Sequence, residues 1–258
     1  MPRFAANLSM MFTEHPFLDR FAAAADAGFT AVEYLFPYEH EPQALADRLN
    51  RHGLTQALFN LPPGDWAGGD RGTASLPERA AEFRASLETA RPFIEATGVP
   101  RVHMMAGMAS RADARAVAAY ETALAQAADF AAGLGIGIVI EPINGRDMPG
   151  YFLNDFDWAA GVIGRLDRPN LRLQFDIYHR QILHGDVTKA LEALMPITAH
   201  VQVASVPLRQ EPGTGELNDA RLFALLDSLG YQGFVGCEYR PAGETVAGLG
   251  WFKAAAGS

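Results

Sequence analysis

Strand-like and helix-like segments alternate along the whole chain, and that alternation limits the fold more than any other feature. Eight short apolar runs have strand character: Phe4–Ser9, Ala31–Phe36, Thr55–Leu61, Arg101–Ala106, Ile136–Glu141, Leu171–Asp176, Thr198–Ala204 and Phe234–Tyr239. Between them lie amphipathic stretches rich in Ala and Leu, with apolar residues three and four apart: Pro16–Ala27, Pro42–His52, Pro77–Thr97, Arg111–Gly133, Asp155–Leu166, Asp186–Leu194 and Asp219–Leu229. Gly28, Gly53, Gly98 and Gly230 follow helical stretches, where a left-handed cap favours glycine, and Pro42 and Pro77 stand near helix starts. Repeated β-then-α units predict a single (β/α)8 barrel over residues 1–258. An open doubly wound sheet usually carries a glycine-rich phosphate loop after its first strand. Met10-Met11-Phe12 stands there instead.

The strand ends carry the chemistry. Ile140-Glu141-Pro142 and Cys237-Glu238-Tyr239-Arg240-Pro241 each put a glutamate at the end of an apolar run. A carboxylate is costly to bury unless it is paired or binds a cation. Side chains alternate along a strand. Arg172, Gln174 and Asp176 therefore share one face of their strand, and His200, Gln202 and Ala204 one face of the next. The polar set must face the barrel interior, because the outer face packs beneath apolar helices. Four consecutive strands then each offer an oxygen near the C-terminal mouth: Glu141, Asp176, Gln202 and Glu238. Three carboxylates and an amide form a hard donor set suited to a divalent metal, Mg2+ or Mn2+, more than to zinc.

Other residues keep two readings. His179, in the loop after the sixth strand, either binds a substrate oxygen or faces solvent. Arg209 either grips a substrate carboxylate in a fork or is solvated. Glu33 is a partner behind the site or part of the barrel floor. His103 and His200 point inward but below the mouth, as core histidines. Phe12 and Trp66 either cover the site or pack their own loops. Three long loops, Pro62–Leu76, Asn144–Asn154 and Ser205–Asn218, follow strands, and their Gly and Pro content fits lids.

A net charge of −9 lacks the basic footprint of a nucleic-acid binder. One cysteine, Cys237, excludes an internal disulfide and fits a reducing cytoplasm. The first residues carry no signal-peptide run, and no stretch approaches the roughly 20 apolar residues of a membrane span. Exposed apolar loops leave room for a homo-oligomer.

Motifs along nearly the whole chain resemble the hydroxypyruvate isomerase family of xylose isomerase-like barrels. They include Val32-Glu33-Tyr34-Leu35-Phe36-Pro37-Tyr38, Asn60-Leu61-Pro62-Pro63-Gly64-Asp65-Trp66, Ile140-Glu141-Pro142-Ile143-Asn144, Phe175-Asp176-Ile177-Tyr178-His179, His200-Val201-Gln202-Val203-Ala204 and Gly236-Cys237-Glu238-Tyr239. The resemblance implies isomerisation of a small hydroxy-oxo acid, hydroxypyruvate or, as in a close subgroup, 2-oxo-tetronate. It implies Glu141 and Glu238 as the catalytic pair working through an enediol, and a divalent metal held by Glu141, Asp176, Gln202 and Glu238. His179 and Arg209 would orient the substrate. Related sugar 3-epimerases use a histidine where this chain has Gln202, which points away from ketose epimerisation. The rival readings are a metal-dependent endonuclease, which the acidic charge opposes, and a non-catalytic metabolite-binding barrel.

Overall fold

The structure is a computed structural model that describes residues 2–256. Within them, β1 (Arg3–Asn7), β2 (Ala31–Glu33), β3 (Thr55–Asn60), β4 (Arg101–His103), β5 (Gly137–Ile140), β6 (Leu171–Asp176), β7 (Thr198–Val203) and β8 (Phe234–Cys237) pair in parallel and in chain order, and β8 closes on β1. The expected barrel is the observed one. Several strands end earlier than their apolar runs, so Glu141 and Glu238 stand one residue beyond β5 and β8.

The helices form where capping and periodicity agree. α1 (Arg20–Asp26) follows a short 3-10 turn, and α2 (Pro42–His52) starts on proline and ends at Gly53, whose φ of 64° supplies the left-handed cap. Leu45, Ala46 and Leu49 form the buried stripe of α2. α3 (Ala80–Thr97) ends the same way at Gly98. Asp113 caps α4 (Ala114–Gly133), and Asp155 caps α5 (Phe156–Leu166) by accepting from Trp158 N at 2.7 Å. α7 (Val187–Leu194) and α8 (Asp219–Ser228) complete the expected set.

Two helices depart from the expectation. α6 (Ile177–Leu183) begins directly after β6, so His179 lies in a helical first turn and not in a loop. Its cap is Asp176, whose Oδ1 accepts from Tyr178 N at 2.7 Å and His179 N at 3.4 Å. α9 (Gly250–Ala256) carries Trp251 and Phe252 against Phe4, with ring centroids 5.2 and 5.9 Å away. Among the described residues no helix is long and apolar enough to cross a membrane.

The barrel interior is polar where aliphatic layers are usual. Glu33 Oε1 accepts from Asn7 Nδ2 at 3.0 Å and Gln202 Nε2 at 2.8 Å, and Glu33 Oε2 lies 2.7 Å from His200 Nε2. Gln174 Nε2 donates to Gln202 Oε1 at 2.6 Å. A buried carboxylate with this many partners is satisfied rather than stranded. Gly236 makes the room, since a Cβ there would overlap the Glu33 carboxylate. Glu33 is thus the hub of the interior beneath the mouth. Cys237 is buried in the apolar cluster outside the barrel.

Candidate active site

Parallel strands in a closed barrel bring their C-terminal ends to one rim, so residues distant in sequence converge there. One ligand atom each from Glu141, Asp176, His179 and Glu238 lies within 4.8 Å of the others, and all four side chains are buried. Above them opens a cavity of about 500 Å3, lined among others by Asn60, Trp66, His103, Tyr178, Arg209 and Arg240. A larger cleft of about 690 Å3 lies at the opposite end, around Arg3, Arg101 and Tyr231. It gathers no carboxylate cluster, and that end of such a barrel serves stability.

Burial dominates the electrostatics of the mouth. It pushes the Glu238 carboxyl up to about 8 against the pull of Arg209, with Asp176 and Glu33 adding to the rise. Burial likewise raises Asp176 to about 6, opposed by Arg209 and by the cap hydrogen bonds of α6. Glu141 is driven well above the usual carboxylate range by burial, then by the charges of Glu238 and Asp176. Close carboxylates that cannot all ionise must share a proton or a cation.

Arg209 supplies one positive charge. Its Nη2 donates to Glu238 Oε2 at 2.6 Å, its Nη1 to Asp147 Oδ2 at 3.1 Å and its Nε to the Glu238 carbonyl at 3.4 Å. Its φ of 55° places it in the left-handed region, an uncommon backbone state that functional loops tolerate when their surroundings hold it. Two carboxylate oxygens of the mouth stay unmatched: Glu141 Oε1 and Asp176 Oδ2 are buried and, among the described residues, have no hydrogen-bond donor. Donorless carboxylate oxygens facing one space fit a hard divalent cation. Gln202 is the register partner of Asp176, but its amide oxygen already accepts from Gln174. A second lone pair is left on that oxygen for a ligand.

His179 has a fixed tautomer. Asn144 Oδ1 accepts from the backbone N–H of Arg146 and of Asp147, both at 2.9 Å, so the Asn144 amino group points to His179 Nδ1 at 2.7 Å. Nδ1 is therefore an acceptor, and the proton sits on Nε2. That Nε2–H lies 3.7 Å from Glu141 Oε1 and 3.6 Å from Asp176 Oδ2. A protonated nitrogen cannot ligate a metal but can donate to a substrate oxygen. Burial and Arg209 hold the imidazole well below its usual pKa, hence neutral.

The expected residues Glu141, Asp176, His179, Arg209 and Glu238 come together, with Gln202 beside Asp176 on the neighbouring strand. His103 differs from its expected place below the mouth. It lines the cavity, its Nδ1 lies 3.8 Å from Glu141 Oε2, and its buried Nε2 has no hydrogen-bond partner among the described residues. His200 keeps the core role on Glu33. Asn144, Asp147 and Arg71 were not singled out from the sequence. The run Asn144-Gly145-Arg146-Asp147 carries an Asx-turn signature, and that was the available sign of Asn144.

The expected lids are tied down. In the 62–76 loop, Asp70 pairs with Arg79 through both oxygens at 2.6 and 2.7 Å, and Ser75 N donates to Ala106 O at 2.8 Å. In the 144–154 loop, Tyr151 OH accepts from Ala106 N at 2.8 Å. In the 205–218 loop, Glu216 N donates to Val206 O at 2.9 Å.

Residues 21–255 match the family model described as xylose isomerase-like TIM barrel. The chain is 54% identical over 255 residues to the 2-oxo-tetronate isomerase of Cupriavidus necator, covering 98% of each. It is 40% identical to the hydroxypyruvate isomerase of Escherichia coli, covering 97% of this chain and 98% of that one. A solved structure from Brucella melitensis, described as an AP endonuclease of family 2, superposes with a TM-score of 0.96 at 48% identity, covering 98% of this chain and 99% of that one. The chain belongs to the xylose isomerase-like TIM barrel family.

Proposed function

We propose that this chain is an isomerase of short hydroxy-oxo acids, which moves a carbonyl between adjacent carbons by proton transfer between Glu141 and Glu238. The observation that carries this reading is the pair itself: two buried glutamates, from the ends of β5 and β8, reaching one point under a small cavity. Hydroxypyruvate and 2-oxo-tetronate are the two substrates in view. A relative named for 2-oxo-tetronate is 54% identical, while relatives named putative hydroxypyruvate isomerase reach 46%, which favours the four-carbon acid.

Bound at Glu141, Asp176, Glu238 and the Gln202 oxygen, a Mg2+ or Mn2+ ion would supply Lewis-acid stabilisation of negative charge developing on the substrate oxygens. One glutamate, as carboxylate, takes the proton from the hydroxyl-bearing carbon. The C–H electron pair becomes the C=C bond of an enediolate, and the carbonyl π pair moves to its own oxygen. The other glutamate, as carboxylic acid, gives a proton to the former carbonyl carbon. The hydroxyl proton passes to the other oxygen, and the carbonyl has moved by one carbon. Burial raises both carboxyls in the metal-free mouth, and neighbouring carboxyls that cannot both ionise there suit a donor and an acceptor. Proton transfer of this kind typically contributes about 10²–10⁴-fold. His179 Nε2–H orients a substrate oxygen, and Arg209 holds Glu238 in place.

The test is a product assay on hydroxypyruvate and on 2-oxo-tetronate with metal-stripped and with Mg2+- or Mn2+-loaded protein. Metal-dependent isomerisation of either acid is expected. Ligand binding without turnover of either would favour a metabolite-binding barrel.

A further inference from the structure

A hydroxy-oxo acid brings one more carboxylate into a mouth that already holds Glu141, Asp176, Glu238 and Asp147, so its carboxylate needs a cationic receptor. Arg209 is ill placed for that, because each of its three nitrogens already donates to Glu238 or Asp147. We propose that Arg71 receives the substrate carboxylate and thereby restricts the site to acids, a role that rests on the isomerase reading above.

Arg71 lines the cavity from the loop after β3. Its Nη1 donates to Trp66 O at 3.1 Å and to Asp70 O at 2.6 Å, which uses both hydrogens of that nitrogen. Its guanidinium carbon lies 3.9 Å from the centroid of the Trp66 ring. Among the described residues, Nε and Nη2 have no hydrogen-bond partner. These two nitrogens form the side edge of the guanidinium, whose parallel N–H bonds match a carboxylate in bidentate fashion.

The neighbouring Asp70 carboxylate attracts the Arg71 charge but, among the described residues, forms no hydrogen bond with it. Asp70 turns both oxygens to Arg79, so Arg71 meets only the Asp70 carbonyl. Trp66 rests on Phe36, with ring centroids 5.0 Å apart. The loop is further fixed by Gly72 N donating to Pro63 O at 2.8 Å, and Gly72, at φ 101°, packs so closely on the Met105 carbonyl that a Cβ would overlap it. A guanidinium held by stacking and two hydrogen bonds loses little freedom when it binds, so its attraction is retained as affinity. Arg146 and Arg240 also line the cavity, but they are exposed and, among the described residues, no hydrogen bond or ion pair holds their guanidinium groups.

The experiment compares wild type with Arg71→Gln and Arg71→Lys, using Arg146→Gln and Arg240→Gln as references. Loss of a bidentate charged contact predicts a KM for the accepted acid about 30-fold higher in Arg71→Gln, with kcat changed far less. Arg71→Lys recovers part of the affinity. The loss exceeds that in either reference variant at least about tenfold. A KM within threefold of wild type, or a loss confined to kcat, overturns the assignment. Thermal unfolding checks that the variants fold. Wild-type protein that turns over neither acid would refute the isomerase reading instead. Calorimetric titration with tartronate then decides Arg71 without turnover: about 30-fold weaker binding in Arg71→Gln supports the role, and equal affinity, or no binding to wild type, overturns it.

Discussion

Raising the pH of metal-free protein from 7 to 9 removes a proton that the folded mouth holds and the unfolded chain does not. Glu238 is pushed up to about 8 from an ordinary 4.5, by burial first and then by Asp176 and Glu33. A carboxyl raised on folding stabilises the folded state at low pH, and that contribution is lost as pH climbs through the folded pKa. Across pH 7 to 9 a group with pKa near 8 goes from mostly protonated to mostly ionised, while the unfolded carboxyl stays ionised throughout. Integrating the proton difference gives ~1.4 kcal/mol of lost stability from this one group. Glu141 is shifted in the same direction and adds to the loss. His103, lowered to about 3, and His179 have the opposite sign, but the unfolded imidazoles are largely neutral by pH 7, so their effect is nearly complete before this window opens. For a chain of this length the loss amounts to ~3–6 °C in Tm. Thermal unfolding followed by circular dichroism on chelator-treated protein should show that fall. Glu238→Gln should flatten it, and Mg2+ should raise Tm more at pH 9 than at pH 7, because the cation competes with the proton. A wild-type Tm that is level from pH 7 to 9, or an equal slope in Glu238→Gln, would refute the shared-proton description of the mouth.

Three further outcomes follow from local geometry. Gly236→Ala forces a Cβ into the Glu33 carboxylate and should cost ~1–3 kcal/mol in urea unfolding; wild-type stability would mean the floor is loosely packed. Asn144→Asp replaces the donor to His179 Nδ1 with an acceptor, so the imidazole proton is drawn from Nε2 to Nδ1. Steady-state kinetics should then show roughly tenfold or greater loss of kcat/KM, and an unchanged value would remove the donor role of His179. Arg79→Ala frees Asp70 to turn toward Arg71, so KM should rise while the melting temperature falls by no more than about 4 °C, since the pair is partly exposed; an unaltered KM would show that the ion pair does not position the loop.

Much of the architecture was legible because most strand runs ended at a glycine, proline or cap residue, and strand parity alone put Glu141, Asp176, Gln202 and Glu238 toward the interior. What escaped depended on three-dimensional neighbours. α6 was missed because it starts directly after the last residue of β6 with no intervening turn; Asp176 is both strand end and helix cap. His103 was placed too low because parity gives the face of a strand and not its height against the rim, and β4 ends at that residue. The unmatched oxygen of Asp176 follows from its capping duty, which occupies only one of its two oxygens. Arg71 was not singled out, since its open edge is defined only by which of its nitrogens the loop already uses.

The central claim is that two glutamates exchange protons with the substrate, and isomerisation in D2O tests it most directly. If one glutamate removes a proton and the other delivers one, the hydrogen on the former carbonyl carbon comes from a group that has equilibrated with solvent. Proton NMR of product formed by wild-type protein should show deuterium at that carbon, and Glu141→Gln and Glu238→Gln should each abolish turnover with the fold intact. Product that retains the substrate's own hydrogen at that carbon would mean a direct hydride shift, and would contradict the roles given to Glu141 and Glu238.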